Sequence, residues 1–157
     1  MELVKNSYIY WEFIRNLRNQ DGVRQGFIEQ EIISRESHEA YMKKNSNFFW
    51  ICLDNNVAIG YIGIIDNDIR IATHPDYQGL GVGSFMLNEI MKVYPNAEVW
   101  IINNHSQFFL HKYFVDKGVK VSTVESFETS LTKLNGSVLL DETTVPFAAV
   151  KILQSNG

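Results

Sequence analysis

One stretch constrains this chain more than any other: Gln78-Gly79-Leu80-Gly81-Val82-Gly83-Ser84, which follows an apolar alternating run and leads straight into an amphipathic pattern of helical period. A strand that breaks into alternate glycines and then a helix is suited to holding phosphate. Gly79, Gly81 and Gly83 remove side chains where the backbone must turn tightly and where an anion must approach the amides. The following helix turns unpaired N–H groups and its positive dipole end to the same spot. A glycine-rich turn closing an ordinary strand–helix unit is the plain alternative.

The neighbouring residues choose among phosphate binders. A dinucleotide fingerprint needs Gly-x-Gly-x-x-Gly and an acidic residue ending the next strand, whereas the order here is Gly-x-Gly-x-Gly without that acid. A nucleotide P-loop needs Gly-Lys-Ser/Thr, and no lysine occurs between Lys44 and Lys92. What remains is Gln-x-x-Gly-x-Gly preceded by Thr73-His74-Pro75-Asp76-Tyr77, which closely resembles the cofactor-binding signature of the GNAT superfamily of N-acyltransferases.

The resemblance implies one α/β (α+β) acyltransferase domain over residues 1–157, with a mixed, mostly antiparallel sheet of six to seven strands flanked by about four helices. It implies acetyl-CoA as co-substrate, its pyrophosphate held by the loop amides of Gln78, Gly79, Leu80, Gly81, Val82, Gly83 and Ser84. The strand before the loop would pair with the pantetheine arm and offer an N–H to the thioester oxygen, a role that falls by position on Ile71, Ala72 and Thr73. Asn104, with Ser106, resembles the polar residues that steady the cofactor in the family, at a longer distance from Gly118 than usual.

Composition agrees with one compact domain. The 157 residues are 45% hydrophobic and 13% aromatic, enough for one real core. A formal charge of −4 with scattered acids and bases disfavours a nucleic-acid partner. Cys52 is the single cysteine, sits in an apolar run, and is expected to be a buried small hydrophobe. No apolar run approaches the ~20 residues that span a bilayer, so no membrane partner and a cytoplasmic location are expected. A homodimer is compatible with the chain, and no residues specify it.

Along the chain, residues 3–10 alternate as a first strand, and Trp11, Ile14 and Leu17, with Arg18, recur at helical spacing to Asn19. Asn19-Gln20-Asp21-Gly22 is turn chemistry, residues 23–33 are irregular, and Ser34 or Ser37 caps a second helix to about Lys44. Phe48–Leu53, Val57–Ile65 and Ile69–Thr73 are three strands joined by the turns Asp54-Asn55-Asn56 and Asp66-Asn67-Asp68. Gly60 and Gly63 within the second of these suggest a bulge or a close backbone approach. Leu80, Met86, Leu87, Ile90, Met91 and Val93 mark the inner face of the helix after the glycine loop, ending before Pro95. Glu98–Asn103 is an apolar central strand, parallel to the one before the loop because a helical crossover joins them. Another helix over Gln107–Lys117 ends at Gly118. The remainder is β-rich, at Val119–Phe127, Ser137–Leu140 and Val145–Leu153, with Asn135-Gly136 as a turn.

Amide formation from a thioester needs a donor for the oxyanion, a base for the ammonium and a proton for the leaving thiolate. The family resemblance implies a tyrosine acid four residues before the helix-terminal glycine. Counting back from Gly118 gives Phe114, with Tyr113 one place earlier, so either Tyr113 serves or the thiolate leaves through water. Asp68, with Asp66 close by, stands near the family's carboxylate base, and a solvated turn aspartate is its alternative. His74 is either a proton shuttle or turn chemistry. His38, His105 and His111 lack metal-ligand spacing, so no metal site is expected.

The acceptor is expected to be a small-molecule amine met by the irregular stretch around Arg24, which could pair with a substrate phosphate, and Phe27 or Trp11, which could stack on a ring. Leu17-Arg18-Asn19, Val23-Arg24, Ile33-Ser34 and Glu36-Ser37-His38 resemble the opening of GNAT members that acetylate nucleotide-linked amino sugars. That makes an amino sugar the leading acceptor, ahead of protein amino termini, polyamines and aminoglycosides. A GNAT-like domain that binds acyl-CoA as a sensor and transfers nothing is the alternative outside enzymology.

Overall fold

The computed structural model describes residues 1–27, 30–102 and 108–124. Its strands are β1 (Glu2–Lys5), β2 (Phe49–Asp54), β3 (Val57–Ile65), β4 (Asp68–Thr73), β5 (Glu98–Ile102) and β6 (Lys120–Val124). They form one sheet in chain order, antiparallel from β1 to β4 and parallel from β4 to β6. Among the described residues four α-helices accompany it: α1 (Trp11–Asn19), α2 (Arg35–Asn45), α3 (Val82–Val93) and α4 (Phe108–Asp116). This is the mixed, mostly antiparallel α/β architecture expected of the sequence.

The meander β2–β3–β4 closes through two-residue turns. Asn55, Asn56, Asp66 and Asn67 take φ of 50°, 67°, 50° and 69°. Short polar side chains tolerate this left-handed region, and such turns match the twist of the strands they join. Gly60 and Gly63 do both things expected of them. The register slips opposite Cys52/Leu53, leaving Ile59 as the extra residue, and a Cβ at Gly63 would lie 2.5 Å from the Phe49 ring.

The sheet is covered on both faces. Ile62, Ile64, Ile69, Val99 and Ile101 form one core with Val82, Met86, Leu87 and Ile90 of α3 and Phe114 of α4. The bulge lets Ile59 join the same core although its parity differs from that of Ile62. On the opposite face Phe49, Ile51, Tyr61 and Ala72 pack with Ile14 and Leu17 of α1 and Met42 of α2.

Several expectations are corrected. The first strand stops at Lys5, because Asn6 turns inward: its amide donates to Phe49 O at 3.0 Å and its side chain to Ser46 Oγ at 3.1 Å. Tyr8–Tyr10 is a 3-10 turn instead. Of the two candidate caps for α2 it is Ser34 that serves, its hydroxyl accepting from Ser37 N at 3.1 Å. Leu80 and Val93 are each 66% exposed, so the inner face of α3 is Val82, Met86, Leu87 and Ile90, with Met91 partly buried against the same core. Leu80 lies ahead of the helix between two left-handed glycines, where helical phase does not apply. Asp68 opens β4 rather than closing a turn. The strands expected at Ser137–Leu140 and Val145–Leu153, the Asn135-Gly136 turn and the end of Val119–Phe127 lie outside the described residues.

Candidate functional site

β4 and β5 are paired at one register position, Asp68↔Glu98, where Glu98 N donates to Asn67 O at 2.7 Å. β5 and β6, by contrast, pair at every residue from Glu98↔Lys120 to Ile102↔Val124. Beyond its first residue β4 therefore separates from β5, and the gap opens toward the carboxyl end where the glycine loop begins. Antiparallel pairing alternates between residues that bond to the neighbour and residues that face away. His74 N donates to Ile59 O at 2.8 Å, which assigns His74 and Ala72 to β3 and turns the N–H groups of Ile71 and Thr73 toward the gap.

At the strand end, Gln78 Nε2 donates to Thr73 O at 3.3 Å and ties the loop back to β4. Pro75–Tyr77 is a 3-10 turn capped by His74, whose Nδ1 accepts from Asp76 N at 3.1 Å. His74 thus performs the turn role among its two readings. Gly79 and Gly81 take φ of 78° and 86°, and no atom comes within 4 Å of a Cβ built on either. α3 starts from Gly81 with no side-chain cap, and its first helical bond is Phe85 N to Gly81 O at 3.0 Å. The amides of Val82, Gly83 and Ser84 precede that bond, at the positive end of the helix. A stretch open beside its glycines, uncapped amides and an unpaired strand edge are contiguous here, an arrangement suited to an extended anion.

Tyr113 and Phe114 divide as their positions on α4 require. Phe114 is 4% exposed within the core. The Tyr113 hydroxyl lies 2.8 Å from Ser84 Oγ, and a Cβ on Gly83 would be 3.6 Å from it. Burial pushes the Tyr113 phenol above its ordinary pKa, opposed by the Ser84 bond, so it carries its proton at neutral pH.

At the start of β4, Asp68 is 2% exposed, and its Oδ2 lies 3.5 Å from Arg70 Nε. The solvated turn reading of Asp68 gives way to a buried carboxyl. Desolvation pushes its pKa up to about 7, with Glu98 adding to the rise and Arg70 opposing it. Arg70 Nη1 donates to Tyr41 Oη at 2.6 Å. Arg70 and Tyr41 are missed by the sequence reading, although Asp-Ile-Arg in a strand puts the acid and the arginine on one face.

The other expected residues have local partners. Arg24 donates to Asp21 Oδ1 at 2.8 Å and 3.1 Å and to Gln30 O at 3.0 Å. The Arg18 guanidinium lies 3.8 Å from the centroid of the Phe27 ring. Trp11 Nε1 donates to Ser46 Oγ at 3.1 Å. Asn104, His105 and Ser106 lie outside the described residues. Cys52 is buried, and burial pushes its thiol pKa up. Among the described residues no group of three or more His, Cys, Asp and Glu could hold a metal ion, and no helix is long and apolar enough to cross a membrane.

The fold resembles that of solved structures. A domain from Methanocaldococcus jannaschii superposes with a TM-score of 0.62 at 18% identity, covering 74% of this chain and 86% of that one. PaiA N-acetyltransferase from Thermoplasma acidophilum, solved with coenzyme A, gives a TM-score of 0.47 at 18% identity, covering 71% and 86%. No curated protein matches the sequence. The family model described as "Acetyltransferase (GNAT) family" matches residues 11–114, a span that runs from α1 through the separating strands and the glycine loop to Phe114. With two thirds of its length inside that match, the chain belongs to the acetyltransferase (GNAT) family.

Proposed function

We propose that this protein transfers the acetyl group of acetyl-CoA to a primary amine of a small molecule, with an amino sugar or nucleotide-linked amino sugar as the leading acceptor. The observation that carries the reading is the separation of β4 from β5 directly beside an open, uncapped glycine loop. In this reading Gln78–Ser84 hold the pyrophosphate, the N–H groups of Ile71 and Thr73 meet the pantetheine arm with Ala72 between them, and Asn104 is a further cofactor contact. Acetyl-CoA supplies the activated acyl carbon.

The amine lone pair forms the C–N bond, the carbonyl oxygen becomes an oxyanion facing a β4 amide, and the C–S bond breaks. One ammonium proton passes to Asp68, whose pKa of about 7 suits a base at neutral pH. The thiolate takes a proton from Tyr113, which holds one at that pH. Arg24 and Phe27 stand at the acceptor entrance in this scheme, where a phosphate or ring would have to exchange with Asp21 or Arg18.

A second reading is binding without transfer, favoured by Phe114 in the core at the family's tyrosine position. Thiol release separates the two. A transferase produces free coenzyme A with at least one amine of a panel, whereas a sensor is stabilised by acetyl-CoA and releases none. At 100 times its dissociation constant acetyl-CoA adds ~2.7 kcal/mol of stability. Gly81→Val fills the empty cradle and forces a β-branched residue to positive φ, so most of that stabilisation disappears. A full response in the variant overturns the loop assignment.

A further inference from the structure

Between α2 and β4 lies a cavity of about 500 Å³ whose wall includes Ser37, Tyr41, Lys44, Asn45 and Arg70. Two cations and two hydroxyls line it, and no carboxylate does. Arg70 is 6% exposed, and its Nε and Nη2 are buried with no hydrogen-bond partner among the described residues. Tyr41 Oη accepts from Arg70 Nη1, which leaves the phenolic proton free to be donated. Lys44 is exposed on the same helix face and makes no ion pair among the described residues.

Buried donors without acceptors are costly, so the two that Arg70 brings to the wall of this cavity ask for an acceptor-rich group. Asp68 is the only carboxyl beside Arg70 among the described residues, and at 3.5 Å it leaves Nε unbonded. Arg70 is one residue, about 3.3 Å, from Ile71, whose amide faces the gap. A molecule anchored at Arg70 would hold a nearby amine beside the same gap, at the level of the Ile71 amide.

We propose that this cavity binds the oxyanion, carboxylate or phosphate, of an acceptor that carries its amine close to that group. The inference rests on the transfer reading for the acceptor's role and on the cavity alone for the binding. A guanidinium, a phenol and an ammonium converging on one space bind an oxyanion by charge-assisted hydrogen bonds, and the guanidinium gains partners by turning toward it. Neutral amines and polyamines lack the group that these donors require.

Two measurements test it. In the first, thiol release is compared within matched pairs: an α-amino acid against its decarboxylated amine, and an amino-sugar phosphate against the free amino sugar. The anionic member of one pair is expected to win by at least tenfold in kcat/KM, and the winning pair distinguishes carboxylate from phosphate. Lys44→Glu, on an exposed position, should abolish that ratio, and Tyr41→Phe should reduce it. Equal use of both members, or a ratio untouched by Lys44→Glu, overturns the proposal.

The second measurement needs no turnover and stands if transfer itself is disproved. Inorganic phosphate and acetate are titrated by thermal shift on the wild type and on Lys44→Glu, both held in excess coenzyme A to occupy the glycine loop. One anion should bind at least tenfold more weakly to the variant. Identical responses, or none from either protein, overturn the cavity as an oxyanion site.

Discussion

Asp68 and Arg70 project from one face of β4 and set opposing demands on each other. Burial favours the neutral acid, and the guanidinium favours the carboxylate. Desolvation wins, leaving Asp68 with a pKa of about 7 against the ordinary 3.8. The folded state therefore holds this proton more tightly than the unfolded chain does. The stability it contributes is complete below about pH 4 and is lost as pH rises through about 7. Denaturant midpoints measured at pH 5 and pH 8 should show the wild type losing stability that Asp68→Asn does not lose. For Asp68 as the proposed base, catalysis runs the other way, since a base must be deprotonated. kcat/KM should rise with an apparent pKa of about 7, and that rise should be absent in Asp68→Asn. At Gly63 the demand is steric: a methyl group would enter the Phe49 ring, so Gly63→Ala should lower stability by about 1–3 kcal/mol, read as a lower denaturant midpoint at unchanged slope.

At the scale of elements, α3 and α4 meet at a polar contact beside the glycine loop. Tyr113 on α4 reaches across to Ser84 at the first turn of α3. Tyr113→Phe keeps the ring and removes the proton, so kcat should fall about 10²-fold if this phenol protonates the thiolate. An unchanged kcat assigns that step to water. Ser34→Ala should cost about 1 kcal/mol by removing the α2 cap, measured as a shift in thermal midpoint with acetyl-CoA response retained.

The strands and the glycine loop were legible because alternation, Asn- and Asp-rich turns and helical period are local signals, and each falls within a few residues of its effect. The Asp68–Arg70–Tyr41 group was not legible. Asp68 next to Asp66-Asn67 looks like a turn until the chain has paired, and Tyr41 meets Arg70 from a helix 29 residues away. The length of β1 was misread for a similar reason, since the residue that ends it, Asn6, finds its partners at Ser46 and Phe49. Tyr113 is a candidate by its count from Gly118, but its partner Ser84, also 29 residues away, is not legible in the sequence.

For the molecule as a whole, the sheet has two halves of different origin. From β2 to β4 neighbours in space are neighbours in sequence, joined by turns of two residues with all four central φ positive. From β4 to β6 each pairing waits for a helix to complete its crossover. Short loops close in tens of nanoseconds and hairpins in microseconds, whereas pairings across long separations come later. The meander should therefore condense early and carry the strongest amide protection, while the β4–β5 joint, held by one register pair, should zip last and open first. Native-state hydrogen exchange would show this as fast exchange at Ile71 and Thr73 beside slow exchange at Tyr61. The seam beside the glycine loop is thus the one assembled with the least to keep it shut.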